Sequence, residues 1–161
     1  MLVHRAYTDS LRITPEDSHW VFDQVVFFIN ADFEEDIDAI EASYTQGDAD
    51  HVYVLDMDHS HIDVFALVAD ATAIAEVQAI WGKDIDPQSI IDGSLLDADE
   101  EVEDACWHQQ RLRAQLAGRM GFHAVRDRDE QGEVFAVDFS GRNDELNGAW
   151  RYLGRYSDHF E

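Results

Sequence analysis

At 161 residues with 45% hydrophobic side chains, the chain has the length of one domain and enough apolar content to bury a core, which excludes global disorder. Its formal net charge of -24, from 11 basic and 35 acidic side chains, opposes direct binding to nucleic acid or to an anionic membrane. A lone cysteine, Cys106, excludes an intrachain disulfide framework and a four-cysteine zinc site.

The charge is uneven. Residues 1–104 hold 3 basic and 26 acidic side chains, whereas residues 105–161 hold 8 and 9. Aspartates outnumber glutamates 23 to 12, and Lys83 is the one lysine. Such a bias suits two circumstances equally, an acidic surface in a salt-rich cytoplasm and a face that docks a basic protein surface. No run of eighteen apolar residues occurs, and the first ten residues, MLVHRAYTDS, hold no signal-peptide core. The expectation is a soluble protein of the host-cell cytosol, one domain spanning 1–161.

In chain order, Leu2-Val3-His4 predicts a short first strand. Thr14, with Pro15 after it and Asp17 at the third helical position, predicts a helix start, with Trp20, Val21 and Phe22 on its apolar side. Gln24 to Ile29 has the pattern of a buried strand. Asn30 or Asp32 is expected to cap a helix that turns Ile37, Ile40 and Tyr44 inward and ends at Gly47. Val52 to Leu55 predicts a third strand, and Asp70 caps an amphipathic helix built on Ile74, Val77 and Ile80 and closed at Gly82. A turn-rich connector surrounds Pro87. The acidic run from Asp97 to Asp104 reads as the first turn of a further helix, where carboxylates favour the positive end of the dipole.

The stretch from Ala105 to Phe139 organises the rest. Val102, Ala105, Gln109, Leu112, Leu116 and Met120 recur every three or four residues, which predicts a helix with one mostly apolar face. Gly121 is placed to close it in a left-handed conformation. A hairpin follows, turning at Asp129 to Gly132, with Val134 and Ala136 alternating against Phe135, Val137 and Phe139. Ser140 to Asn147 reads as a polar segment, and the tail from Trp150 to Tyr156 mixes aromatics with arginines. Interleaved strands and helices with a late hairpin predict an α+β fold with a mixed or antiparallel sheet.

Within this stretch, Trp107 opening a helix, the run Gln110-Arg111-Leu112-Arg113, Arg119 just before Gly121, then an aromatic, a valine and Asp129-Glu130-Gln131-Gly132 resemble the ADP-ribosyltransferase-type anti-CRISPR proteins that act on type I-F systems. More loosely, the pattern is similar to small ADP-ribosyltransferase domains of phage and toxin proteins. The match covers roughly Trp107 to Gly132. It implies a split mixed or antiparallel sheet with flanking helices, ADP-ribosyltransferase-like, and transfer of ADP-ribose from NAD to a protein, such as a CRISPR effector subunit, with a basic surface.

The chemistry implied is cleavage of the bond between nicotinamide and ribose through a transition state resembling an oxocarbenium ion. A fixed carboxylate lowers that barrier. The resemblance assigns this catalytic role to Asp129, although Asp at the first position of a turn with Gly at the fourth is also ordinary turn chemistry. It assigns His4 and Arg5 to the cofactor, His4 in place of the family's strand-borne histidine. Relatives follow that histidine with glycine and a small hydroxyl residue, whereas Arg5 and Ala6 stand here. Phe28 and Tyr44 are the aromatic candidates beside the nicotinamide, with Ala39 where a tyrosine is usual. The absence of a glycine-rich phosphate loop argues against a Rossmann domain or a P-loop enzyme.

Two other functions fit the sequence. An acidic, non-catalytic inhibitor would mimic nucleic-acid charge. A metal-dependent hydrolase would use His59 and His61 of Asp58-His59-Ser60-His61-Ile62-Asp63, a run in which Val64 replaces the second histidine expected after the aspartate.

Overall fold

The computed structural model describes residues 1–17, 23–32, 36–43, 49–55, 61–84, 86–89, 102–129 and 132–160, with the backbone alone at several positions within them, 102–106, 108 and 129 among them. The elements in order are β1 (Leu2–Ala6), β2 (Val25–Asn30), α1 (Ile37–Ala42), β3 (His51–Leu55), β4 (His61–Asp63), α2 (Val64–Ala69), α3 (Ala71–Trp81) and α4 (Val102–Arg119). Then come β5 (Ala124–Asp129), β6 (Gly132–Asp138), α5 (Asn143–Ala149), β7 (Trp150–Arg155) and α6 (Tyr156–Phe160). The strands form one sheet in the order β4-β5-β6-β2-β1-β3-β7, antiparallel throughout except for the parallel pair β4 and β5.

The sheet is split at β2. The first part of that strand, Val25 to Phe28, pairs with β6, and only Ile29 and Asn30 pair with β1. From His4 onward β1 leaves β2 and follows β3 alone. The α+β class and a split, mostly antiparallel sheet therefore agree with the expectation from sequence.

Strand alternation then distributes the side chains. Val25, Val125 and Ala136 face α2, α3 and α4, where they meet Leu67, Ala73, Val77, Ala114, Leu116 and Ala117. Val3, Val52 and Val54 continue that face under Ile40 of α1. On the other face Leu2, Val26, Phe28, Leu55, Phe135, Val137 and Phe139 join Ile13 and Leu146 in a second core. Phe139, just after β6, and Trp150 of β7 adjoin strands far apart in the sheet order, yet their rings lie 5.1 Å apart, so the two halves curl toward each other over this face.

Several local expectations hold with their mechanism visible. Asp70 accepts from the amides of Thr72 and Ala73 at the start of α3, and the Gly82 amide closes its end on Gln78. After α4, Gly121 takes φ 89°, and the Phe122 amide reaches back to the Ala117 carbonyl at 3.0 Å.

Others differ. The cap of α1 is Asp36 rather than Asn30 or Asp32; its carboxylate accepts from the Ala39 amide and also from the Asp32 amide, so the helix starts later than spacing suggests. Thr14 to Asp17 form a turn in which Asp17 accepts from both the amide and the hydroxyl of Thr14; Trp20, Val21 and Phe22 lie outside the described residues. The segment read as polar, 140–147, contains the start of α5, which Leu146 anchors in the core. Gly47, and Asp97 through Glu101, also lie outside the described residues.

Candidate functional site

The split places His4 where β1 and β2 part. Its Nδ1 lies 2.8 Å from the Phe27 carbonyl, which has no partner strand on that side, and its ring tilts against Phe28 at 5.6 Å. Burial holds the His4 imidazole below its ordinary pKa, and the bond to Phe27 offsets only part of that shift. His4 is therefore neutral at pH 7. Phe28 is fully buried in the second core.

Arg5 goes the other way. As the next residue along β1 it projects to the opposite face, where its Nε donates to the Ala49 carbonyl at 2.8 Å and its guanidinium stacks over Tyr156 at 4.3 Å. The structure brings His4 and Phe28 together, but alternation separates Arg5 from both, so His4 and Arg5 do not grip one ligand as a pair. Tyr44 lies outside the described residues.

Asp129 is the last residue of β5 and pairs with Gly132 of β6, so the Asp-Glu-x-Gly segment does close the hairpin. Gly132 has φ 120°, and a Cβ built there meets nothing within 4 Å, so space is open beside this end of the hairpin. Position 129 shares its strand register with Val125 and Asp127, the face that packs on α4. His4 belongs to the other face, three strands away in the sheet order.

The side of the hairpin toward α4 holds residues that sequence reasoning missed. Arg113 Nη1 donates to both carboxylate oxygens of Asp127, at 2.9 and 2.8 Å, and both side chains are buried. Asp127 Oδ1 also accepts from the Arg128 amide, so the buried charge is paired and further hydrogen-bonded. One helical turn before Arg113, Gln109 is 6% exposed, and among the described residues its Nε2 has no hydrogen-bond partner. A buried donor left unpaired costs about 1–3 kcal/mol. The signal for it was the one polar residue in the apolar stripe of this helix. On the opposite face of the hairpin, Arg126 pairs with Asp63 at 2.9 Å and lies 3.8 Å from Glu133.

Of the other expected site, His59 lies outside the described residues and His61 supplies backbone to β4. Among the described residues no three His, Cys, Asp or Glu side chains converge as a metal cage, and no helix is long and apolar enough to cross a membrane.

No family model matches the chain, and no curated protein does. Among solved structures it is similar to one described as "Crystal structure of an anti-CRISPR protein", with a TM-score of 0.55 and 19% identity, over 94% of this chain and 93% of that one. At that identity the likeness is one of fold, and it spans both halves of the split sheet.

Proposed function

We propose that the chain inhibits a prokaryotic RNA-guided immune system, and that it does so as a mono-ADP-ribosyltransferase that takes NAD as substrate and modifies a protein of that system. The observation that carries this reading is the hairpin end. In a chain whose fold is like that of an anti-CRISPR protein over nearly its whole length, Asp-Glu-x-Gly closes the β5–β6 pair at Asp129 and Gly132.

The residues around that end suit a neutral sugar and amide ligand. On the α4 side of the hairpin the Arg113 guanidinium is engaged by Asp127, and a Cβ built at Gly132 meets no described atom within 4 Å. In this reading the Asp129 carboxylate faces the positive charge that develops on the ribose as the nicotinamide bond lengthens, and orients the incoming nucleophile. His4, uncharged at pH 7, is the cofactor contact that the resemblance implies; to serve, it must exchange its bond to the Phe27 carbonyl for one to the ligand.

The test is intact-mass measurement of purified immune-effector subunits incubated with NAD and either the parent protein or Asp129→Ala. One added ADP-ribose with the parent alone supports the reading. The charge distribution favours a second reading, in which residues 1–104, with 26 acidic against 3 basic side chains, occupy a nucleic-acid-binding surface without catalysis. In that case Asp129→Ala inhibits as well as the parent, with or without NAD.

A further inference from the structure

We propose that residues 8–13 form a strap across the gap where β1 parts from β2, latched by the Tyr53 hydroxyl, and that release of this latch opens the way to the His4 ring. The inference goes beyond the NAD reading, since it concerns access to His4 whatever ligand that ring meets.

The placement follows from the sheet register and four sets of bonds. Tyr53 is the register partner of His4 on the neighbouring strand, so both side chains stand on the same face of the sheet. The hydroxyl of the buried Tyr53 donates to the Thr8 carbonyl at 2.8 Å and accepts from the Leu11 amide at 3.0 Å, which ties Thr8 and Leu11 to one oxygen. Ile13 is buried in the second core with Val26 and Phe28 of β2, and its backbone is bonded by Asn143 and Asn147 of α5. Between Leu11 and Ile13 the chain therefore passes from above β3 to beside β2, and β1 lies between those strands. The crossing falls where β1 leaves β2, and His4 stands in that gap with Nδ1 on the Phe27 carbonyl.

The two ends of the strap are held unequally. Ile13 has its side chain in the core and three side-chain bonds to its backbone. Thr8, Asp9 and Ser10 are exposed, and the Thr8 hydroxyl bonds within the segment, to the hydroxyl and amide of Ser10. A segment with exposed side chains and few buried contacts opens locally without global unfolding. Freed from Tyr53, residues 8–11 swing on the anchor at Ile13, and His4, half-buried beneath the closed strap, gains exposure. A carbonyl only accepts, so His4 Nδ1 carries the proton toward Phe27 and the atom left to meet a ligand is the Nε2 lone pair. The gate thus admits a ligand that offers a hydroxyl or amide donor.

The experiment uses the full-length parent and two variants. Tyr53→Phe removes the latch and keeps the ring that packs on Trp150 and Tyr152. Thr8→Gly/Ser10→Gly loosens the exposed turn and touches no core residue. Two rates are read at pH 7: amide hydrogen exchange at Leu11 against Val54, and carbethoxylation of His4 by diethyl pyrocarbonate against His123, mapped by mass. In Tyr53→Phe both Leu11 exchange and His4 labelling are expected to rise about tenfold, the scale of a lost hydrogen bond, with Val54 and His123 unchanged. The glycine pair is expected to move both in the same direction by less. Faster exchange at Leu11 with His4 labelling unchanged in both variants overturns the inference, because the strap then moves without uncovering the ring. Unchanged exchange at Leu11 in Tyr53→Phe overturns it too, because the hydroxyl is then no latch. If Tyr53→Phe speeds Val54 as much as Leu11, the glycine pair decides: faster His4 labelling at constant Val54 exchange supports the gate, and equal labelling removes it. None of these rates involves NAD, so failure of ADP-ribose transfer and failure of the gate are read separately.

Discussion

Asp127 is a carboxylate on the core side of a strand, and Arg113 meets both of its oxygens from the facing helix. Removing one partner strands a buried charge, which costs about 3–5 kcal/mol, whereas replacing both by apolar groups of similar size costs far less. Urea unfolding is expected to show Arg113→Met destabilised by about that amount, with Arg113→Met/Asp127→Leu recovering most of it. Equal losses in the single and double variants would mean that the pair does not act as a unit. His4 makes a pH-dependent contribution of the opposite kind. Its folded pKa is depressed by burial, so the folded state binds fewer protons than the unfolded chain, and the stability it contributes is present above the ordinary histidine pKa and lost as pH falls below it. Thermal unfolding between pH 7.5 and 5 is expected to fall more steeply for the parent than for His4→Gln, which removes the titrating ring. Parallel curves would show that protonation of His4 is no dearer in the fold than out of it.

Each element shows how far local chemistry carries. Asp70 before α3 and Gly121 after α4 act through bonds to their own neighbours, so spacing predicts them and the structure has them. The hairpin is legible for the same reason: Asp129 and Gly132 are partners three residues apart. What spacing cannot carry is the partner of a side chain across the fold. Gln109 is placed correctly on the inward stripe of α4, but the pairing of Arg113 with Asp127 one turn further on is a tertiary fact. Likewise Thr14 to Asp17 has the composition of a helix start, yet the chain around it is taken up by α5. Asn147 accepts from the Ile13 amide at 2.8 Å and donates to its carbonyl at 2.6 Å, and Asn143 donates to the same carbonyl at 2.9 Å. These bonds hold Ile13 in the second core, and no local rule anticipates a partner more than a hundred residues away. Asn147→Ala is expected to cost about 1–3 kcal/mol and to speed amide exchange at Ile13 well above the change at Val137. Uniform acceleration at both amides would instead point to a loss of global stability with no local release.

At the scale of the whole molecule, charge and fold pull against each other. A net charge of -24 on 161 residues repels itself in the compact state, and most of it sits in residues 1–104. The described ion pairs relieve little of this, because there are few cations to form them; Arg12, Arg113, Arg119 and Arg126 pair with carboxylates, and the Arg12 and Arg119 pairs are exposed and long, at 3.4 and 3.9 Å. Salt is therefore expected to stabilise the protein, since screening shortens to about 3 Å at 1 M while buried pairs such as Arg113 with Asp127 are screened much less. Raising potassium chloride from 0.1 to 1 M should increase Tm by several degrees in both the parent and Asp129→Ala. The two explanations of the acidity then separate on binding. If the carboxylates serve only a salt-rich cytoplasm, the proposed inhibition of an immune effector persists at 1 M salt wherever the fold does. If they steer the chain onto a basic surface, association slows steeply over the same range in which the fold gains stability, because steering acts through solvent and the core does not. Measuring Tm and association rate on the same salt series decides between them, and a rate that rises with salt alongside Tm would exclude charge-guided docking.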